Sequence, residues 1–174
     1  MKRTNRPARF DAIFLPHLDA AHNLARWLVG NHQDAEDAVQ DSFVRALTYF
    51  DSFHGDDGRA WLLAIVRHTC FERLRRRYRQ VEMPVEDLNL ARDTGPSPEA
   101  LQLQNADRLS VQRGLEALPA EFREVLVLRE MEGLSYKQIA QVAEVPIGTV
   151  MSRLARARQR LAEALTAASR KETA

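Results

Sequence analysis

Apolar residues recur along this chain every three or four positions, the spacing that lays one stripe of a helix against a core. The stretch Phe10–Val29 follows that pattern, with a bend predicted at Pro16 and an end at Gly30-Asn31. A second helix opens at Asp34, where acids in the first turn suit the positive end of the helix dipole. Its predicted stripe is Val39, Phe43, Ala46, Leu47 and Phe50, which leaves Asp37, Gln40, Asp41 and Arg45 outside. A glycine- and aspartate-bearing loop, residues 51–58, leads to a third helix from Arg59 to Arg79. There Leu62, Leu63, Val66, Cys70 and Leu74 point inward, and Trp61, Ala64, His68, Arg75 and Arg79 share the outer sector.

The stripe then stops. Residues 81–97 (VEMPVEDLNLARDTGPS) hold two prolines, a glycine and four acids, and read as a flexible acidic linker. Fully extended it reaches about 55 Å at ~3.3 Å per residue, against ~34 Å per turn of DNA. Ser97-Pro98-Glu99 is a cap followed by a first-turn proline, and predicts a helix running to Leu118. Pro119 begins another, with Phe122, Val125, Leu126 and Leu128 inward and Gly133 as its left-handed stop. The basic start, residues 1–9, and the end, residues 169–174, are expected as a flexible tail and a frayed tail. The expectation is an all-α chain of two small helical domains, 10–80 and 98–168.

The densest local signals lie in Leu134–Leu161. Ser135 is a helix N-cap, and Ile139, Ala140 and Val142 give a short helix one buried side. Pro146 stops it and starts the next, because its fixed φ suits a first turn. Val150, Leu154, Ala157 and Leu161 form that helix's inner stripe, with Ser152, Ala155, Arg156 and Gln159 opposite. Charge alone fits a solvated helical hairpin equally well. The Pro-Ile-Gly-Thr corner and the abrupt basic helix instead fit a helix-turn-helix, whose small outer residues sink into a major groove while arginines reach phosphates or guanine edges.

Net charge is only +1, from 25 basic and 24 acidic residues, so its distribution matters more than its sum. Residues 31–58 carry seven acids against Arg45, and residues 59–80 carry seven arginines against Glu72. Two basic blocks separated by acidic ones imply two DNA-facing surfaces and another for a different partner. The tryptophan-bearing basic face beside the 51–58 loop suits unstacked nucleic acid, although Trp61 also reads as a core anchor. The single cysteine, Cys70, excludes an intramolecular disulfide framework, fits a reducing cytoplasm and reads as a small apolar residue. The five scattered histidines form no metal motif, and neither a nucleophile motif nor a phosphate loop occurs, so neither enzyme chemistry nor a cofactor is expected. No apolar run reaches the length of a membrane span, so no membrane insertion is expected.

With DAEDAVQDSFVRAL and GRAWLLAIVRH in the first part and GLSYKQIAQVAEVPIGTVMSRLARARQRL in the second, the chain resembles a bacterial sigma factor of the extracytoplasmic-function type. The resemblance implies that residues 10–80 are sigma region 2, binding the β′ clamp of core RNA polymerase and the −10 element. It implies that residues 98–168 are region 4, binding the −35 element and the β flap. By position, Asp37, Gln40 and Asp41 face the clamp. Phe53, His54, Gly55 and Asp56 belong to the loop that captures a flipped base, and Trp61, His68 and Arg75 lie along the separating strands. Met151, Ser152, Ala155 and Arg156 enter the −35 groove, with Arg153 and Arg158 on phosphates. His68, Met151 and Glu144 depart from the residues most common in the family, which bears on promoter preference. An anti-sigma partner is also implied. The competing reading is a stand-alone helix-turn-helix regulator, which has no use for an exposed acidic helix.

Overall fold

The computed structural model describes residues 5–81 and 104–172. Among these residues there are eight α-helices and no strand, arranged as two helical parts. The linker 81–97 and the helix start at Ser97 fall almost wholly outside the described residues.

The first part holds α1 (Arg6–Phe14), α2 (Leu18–Val29), α3 (His32–Thr48) and α4 (Gly58–Val81). Pro16 sits in a 3₁₀ turn, Leu15–His17, at the expected bend. Helix starts at Arg6, inside the segment expected to be a flexible tail, because Pro7 suits a first turn and Arg6 is tied down. Its guanidinium lies 3.3 Å from the Asp51 carboxylate and donates to the Leu47 carbonyl at 3.1 Å. Gly30, at φ 86°, ends α2 in the left-handed region. Asn31 then caps α3, its side chain accepting the Asp34 N–H at 2.8 Å, so that helix begins before Asp34. Leu47, expected in the buried stripe, is exposed near the end of α3.

An aromatic cluster fixes the 51–58 loop. Phe14 packs within 5.2–5.8 Å (ring centroids) of Phe50, Phe53 and Trp61, and Phe10 joins at 4.8 Å. Gly58 permits this packing, because a Cβ there would lie 2.6 Å from the Ile13 side chain. Asp57 caps α4 by accepting the Ala60 N–H at 2.9 Å.

The second part comprises α5 (Gln104–Ala117), α6 (Ala120–Leu126), a π-helical turn (Val127–Met131), α7 (Tyr136–Ala143) and α8 (Ile147–Glu172). Gly133 stops the preceding turn at φ 66°. Ser135 caps α7 as expected and completes a capping box with Gln138, at 3.2 and 2.8 Å. Val150, Leu154 and Ala157 are buried. Helix α8 continues to Glu172 where fraying was expected. Its alanine-rich end holds nothing that breaks a helix, and Gln159–Glu163 adds a bond at 3.0 Å.

The two parts pack together through α4 against α7 and α2 against α6. Arg123 is almost fully buried, and it donates to the carbonyls of Leu115, Glu116 and Leu118 and, across the interface, to Trp27 at 2.8 Å. One cation therefore sits at the negative ends of α5 and α2. Glu124, 0% exposed, pairs with Arg67. Glu132 takes Arg59 at 2.8 Å and the Asn23 amide at 2.6 Å.

Glu144 caps α7 at φ 56°, a region costly for any residue with a Cβ. Glu144→Gly is expected to stabilise the chain by roughly 0.5–1 kcal/mol, after the extra backbone entropy of glycine is subtracted. Denaturant unfolding checks this, and an unchanged or lower midpoint contradicts it. Burial pushes the Cys70 thiol up to about 12, against a smaller opposing pull from Arg73. Cys70 is therefore expected to resist alkylation in the folded chain and react on unfolding, as mass spectrometry of labelled protein would record.

Candidate nucleic-acid and partner interfaces

The corner between α7 and α8 is built by local chemistry. Glu144 turns the chain, Val145 donates its N–H to the Ala140 carbonyl at 3.1 Å, and Pro146 opens the next helix. Anchored by Val150 and Leu154, α8 presents Gly148, Met151, Ser152, Ala155, Arg156 and Gln159 to solvent. The expected groove-facing residues Met151, Ser152, Ala155 and Arg156 are thus together on one exposed face.

The two arginines expected on phosphates are placed differently. Arg153 leans back to Glu121 at 3.2 Å and is largely covered. Arg158 is exposed but held by Glu130 at 2.7 Å, a hydrogen bond that raises its already high pKa. Either must exchange a carboxylate for a phosphate to touch DNA.

In the first part, His54, Gly55 and Asp56 project from the loop, whereas Phe53 is only 9% exposed and wedged between Phe14 and Trp61. Phe53 therefore anchors the loop while its neighbours stay exposed. Trp61 is half-buried in the same cluster, so part of it packs in the core and the remainder borders the loop. His68 and Arg75 are exposed further along α4.

Asp57 was not singled out from the sequence, yet it joins the two parts. One oxygen caps α4 and the other accepts the Gln138 side-chain amide at 2.8 Å. Burial alone would raise its pKa, but the Ala60 N–H, the Gln138 amide and the nearby His17 and Arg59 outweigh it and lower it. Its contribution is therefore present above the ordinary value of 3.8 and is lost as pH falls through the lowered one. An Asp-Gly pair immediately before a helix was the available signal.

The acidic face of α3 is divided. Asp41 is bonded to Arg73 and Asp34 lies 3.3 Å from Arg77, while Glu72 is held between Arg45 and Arg76. A hydrogen bond donated by Arg45 lowers the Glu72 pKa, and the one that Arg73 donates to Asp41 raises the pKa of Arg73. On the other flank Asp37 and Gln40 border an open cleft of about 630 Å³ lined by α1, α2 and α3, with Phe10, Leu18, Phe43 and Leu47 among its walls. Val44 stands 63% exposed at its edge. The sequence reading missed this apolar component, although Val44 lies off the predicted stripe. Acid and bare aliphatics side by side repel phosphate and suit a protein surface.

Among the described residues no group of three or more His, Cys, Asp or Glu is placed to hold a metal ion, and no helix is long and apolar enough to cross a membrane.

Family models for Sigma-70 region 2 and Sigma-70 region 4 match residues 13–80 and 108–161. The chain is 35% identical to the ECF RNA polymerase sigma factor SigE of Mycolicibacterium smegmatis, over 90% of this chain and 61% of that protein. It is 38% identical to the ECF RNA polymerase sigma factor SigM of Mycobacterium tuberculosis, over 90% of this chain and 76% of that one. The structure is similar to that of the sigma factor RpoE from Bartonella quintana in complex with the anti-sigma factor NepR. The TM-score is 0.74 at 33% identity, covering 91% of this chain and 97% of that chain. With both regions matched in order and relatives of this likeness, the chain belongs to the ECF RNA polymerase sigma factors of the sigma-70 family.

Proposed function

We propose that this sigma-family chain is a dissociable, cytoplasmic initiation factor with no catalytic chemistry of its own. It docks on core RNA polymerase and directs it to promoters, helping to melt them. Residues 10–80 act as the clamp- and −10-binding module, with Asp37 and Gln40 beside the bare Val44 and Leu47 as its docking face. Asp41 contributes after release from Arg73. The loop His54–Asp56, Trp61, His68 and Arg75 meet the melted strand. Residues 98–168 act as the −35 and β-flap module.

The observation that carries this reading is the segregation of surfaces. A small-residue, arginine-bearing helix face lies on one part, and an acidic, apolar cleft lies on the other. A stand-alone regulator that meets only duplex DNA has no use for the cleft.

The packing of the two parts sets a condition. Asp57, next to the 54–56 loop, accepts the Gln138 amide of α7 at 2.8 Å, so the two modules are joined beside that loop. Two promoter elements more than a turn of duplex apart, at ~34 Å per turn, require them to separate. The free chain is accordingly a closed, weak DNA binder. An anti-sigma factor, as in the complex of the related RpoE, would hold it out of action.

Asp37→Lys combined with Gln40→Ala is expected to weaken capture by purified core polymerase at least tenfold while leaving the fold intact. Arg156→Ala is expected to cost roughly 1–3 kcal/mol of promoter recognition by holoenzyme and leave core capture unchanged. Equal damage to both activities by either variant contradicts the division of surfaces. Arg67→Ala leaves the buried Glu124 carboxylate unpaired and is expected to weaken the closed packing by ~3–5 kcal/mol. Solution scattering should record expansion of the free chain, and promoter duplex should bind it more tightly. An unchanged radius of gyration contradicts the latch.

A further inference from the structure

The leading end of α8 carries two large aliphatic side chains in solvent. Ile147 is 46% exposed and Met151 is 53% exposed. Four residues apart, they are neighbours on the helix surface, and Ala155 continues the row one turn later. Neither belongs to the core under the helix, which is filled by Val150, Leu154 and Ala157.

Gly148 adds a second, independent observation. A Cβ there would meet nothing within 4 Å, and its φ does not lie in the left-handed region. The fold therefore has no need of glycine at this position, where it weakens a helix relative to alanine. Its absent side chain leaves room for something outside the chain to come close. Bare aliphatics, a glycine and small residues thus share the turns that a recognition helix points at base edges.

The chemistry of those edges selects the ligand. In the major groove guanine, adenine and cytosine present hydrogen-bonding groups that an aliphatic pad would strip of water and leave unpaired. Thymine alone presents a methyl group. We propose that Ile147 and Met151 read thymine in the −35 element through its C5-methyl, making Met151 a specificity-determining residue of this factor. This inference rests on the initiation reading above and names what its second module recognises.

The test uses full-length chain with core polymerase. A promoter is first selected from a template library randomised across the −35 region. Each thymine of the enriched element is then replaced by deoxyuridine, which removes the methyl and keeps the base pair. At one or two positions the substitution is expected to weaken holoenzyme binding about fourfold, the effect of exposing one carbon group. Met151→Ala should reduce the preference, Ile147→Ala with Met151→Ala should bind thymine and uracil templates equally, and Met151→Leu should keep the preference.

An enriched element without thymine, or one indifferent to uracil, overturns the methyl reading and leaves the initiation reading standing. A Met151→Ala protein that retains the full thymine preference overturns it too, as does one whose sole defect is in core capture. If no sequence is enriched and no template is transcribed, the initiation reading fails, and this one with it.

Discussion

The organisation of this molecule depends on one buried charge pair. Glu124 lies on α6 with no exposed surface and faces Arg67 of α4, so a carboxylate has been taken out of water to meet a guanidinium from the other part of the chain. Burial pushes the Glu124 pKa up even though Arg67 opposes the shift. Such a pair adds little to stability relative to apolar residues of the same volume, but losing one partner is costly. That asymmetry suits a joint that must be either fully closed or opened with both charges returned to water.

Around the pair the joint carries further polar contacts. Arg59 and Asn23 converge on Glu132, Asp57 meets Gln138, and Arg123 reaches the Trp27 carbonyl. Interfaces of this kind are exchangeable, because water or another partner satisfies the same groups after separation. Apolar burial crosses the joint as well: Phe10, Phe14, Phe50 and Phe53 of one part and Phe122, Ile139, Val150 and Leu154 of the other belong to one continuous core.

Local chemistry made much of this legible in the sequence. Pro16, Gly30, Gly133, Ser135 and Pro146 each act on the backbone within a few residues, and each marks a boundary where expected. The outer face of α8 followed from periodicity in the same way. What periodicity could not reveal was the second covered side of α6. The stripe of Phe122, Val125, Leu126 and Leu128 leaves Arg123 and Glu124 looking like surface residues, yet both are buried because the other module lies over them. The same long-range packing explains Asp57, whose role needs a partner 81 residues away. Phe53 illustrates the limit at the candidate site, since an aromatic in a loop reads equally as a base platform or an anchor until its neighbours are known. Leu47 and Val44 make the converse point: Leu47 lies on the helical stripe and Val44 off it, yet both are exposed, so periodicity does not tell them apart.

The direct test of the account is the distance across the Asp57–Gln138 contact. Dyes placed through Ser52→Cys and Lys137→Cys flank it on exposed positions, and buried Cys70 leaves the labelling selective. Energy transfer should be high in the free chain and fall sharply when core polymerase and promoter DNA are both bound. Transfer that stays high in a complex actively making RNA would contradict the claim that this factor works by opening.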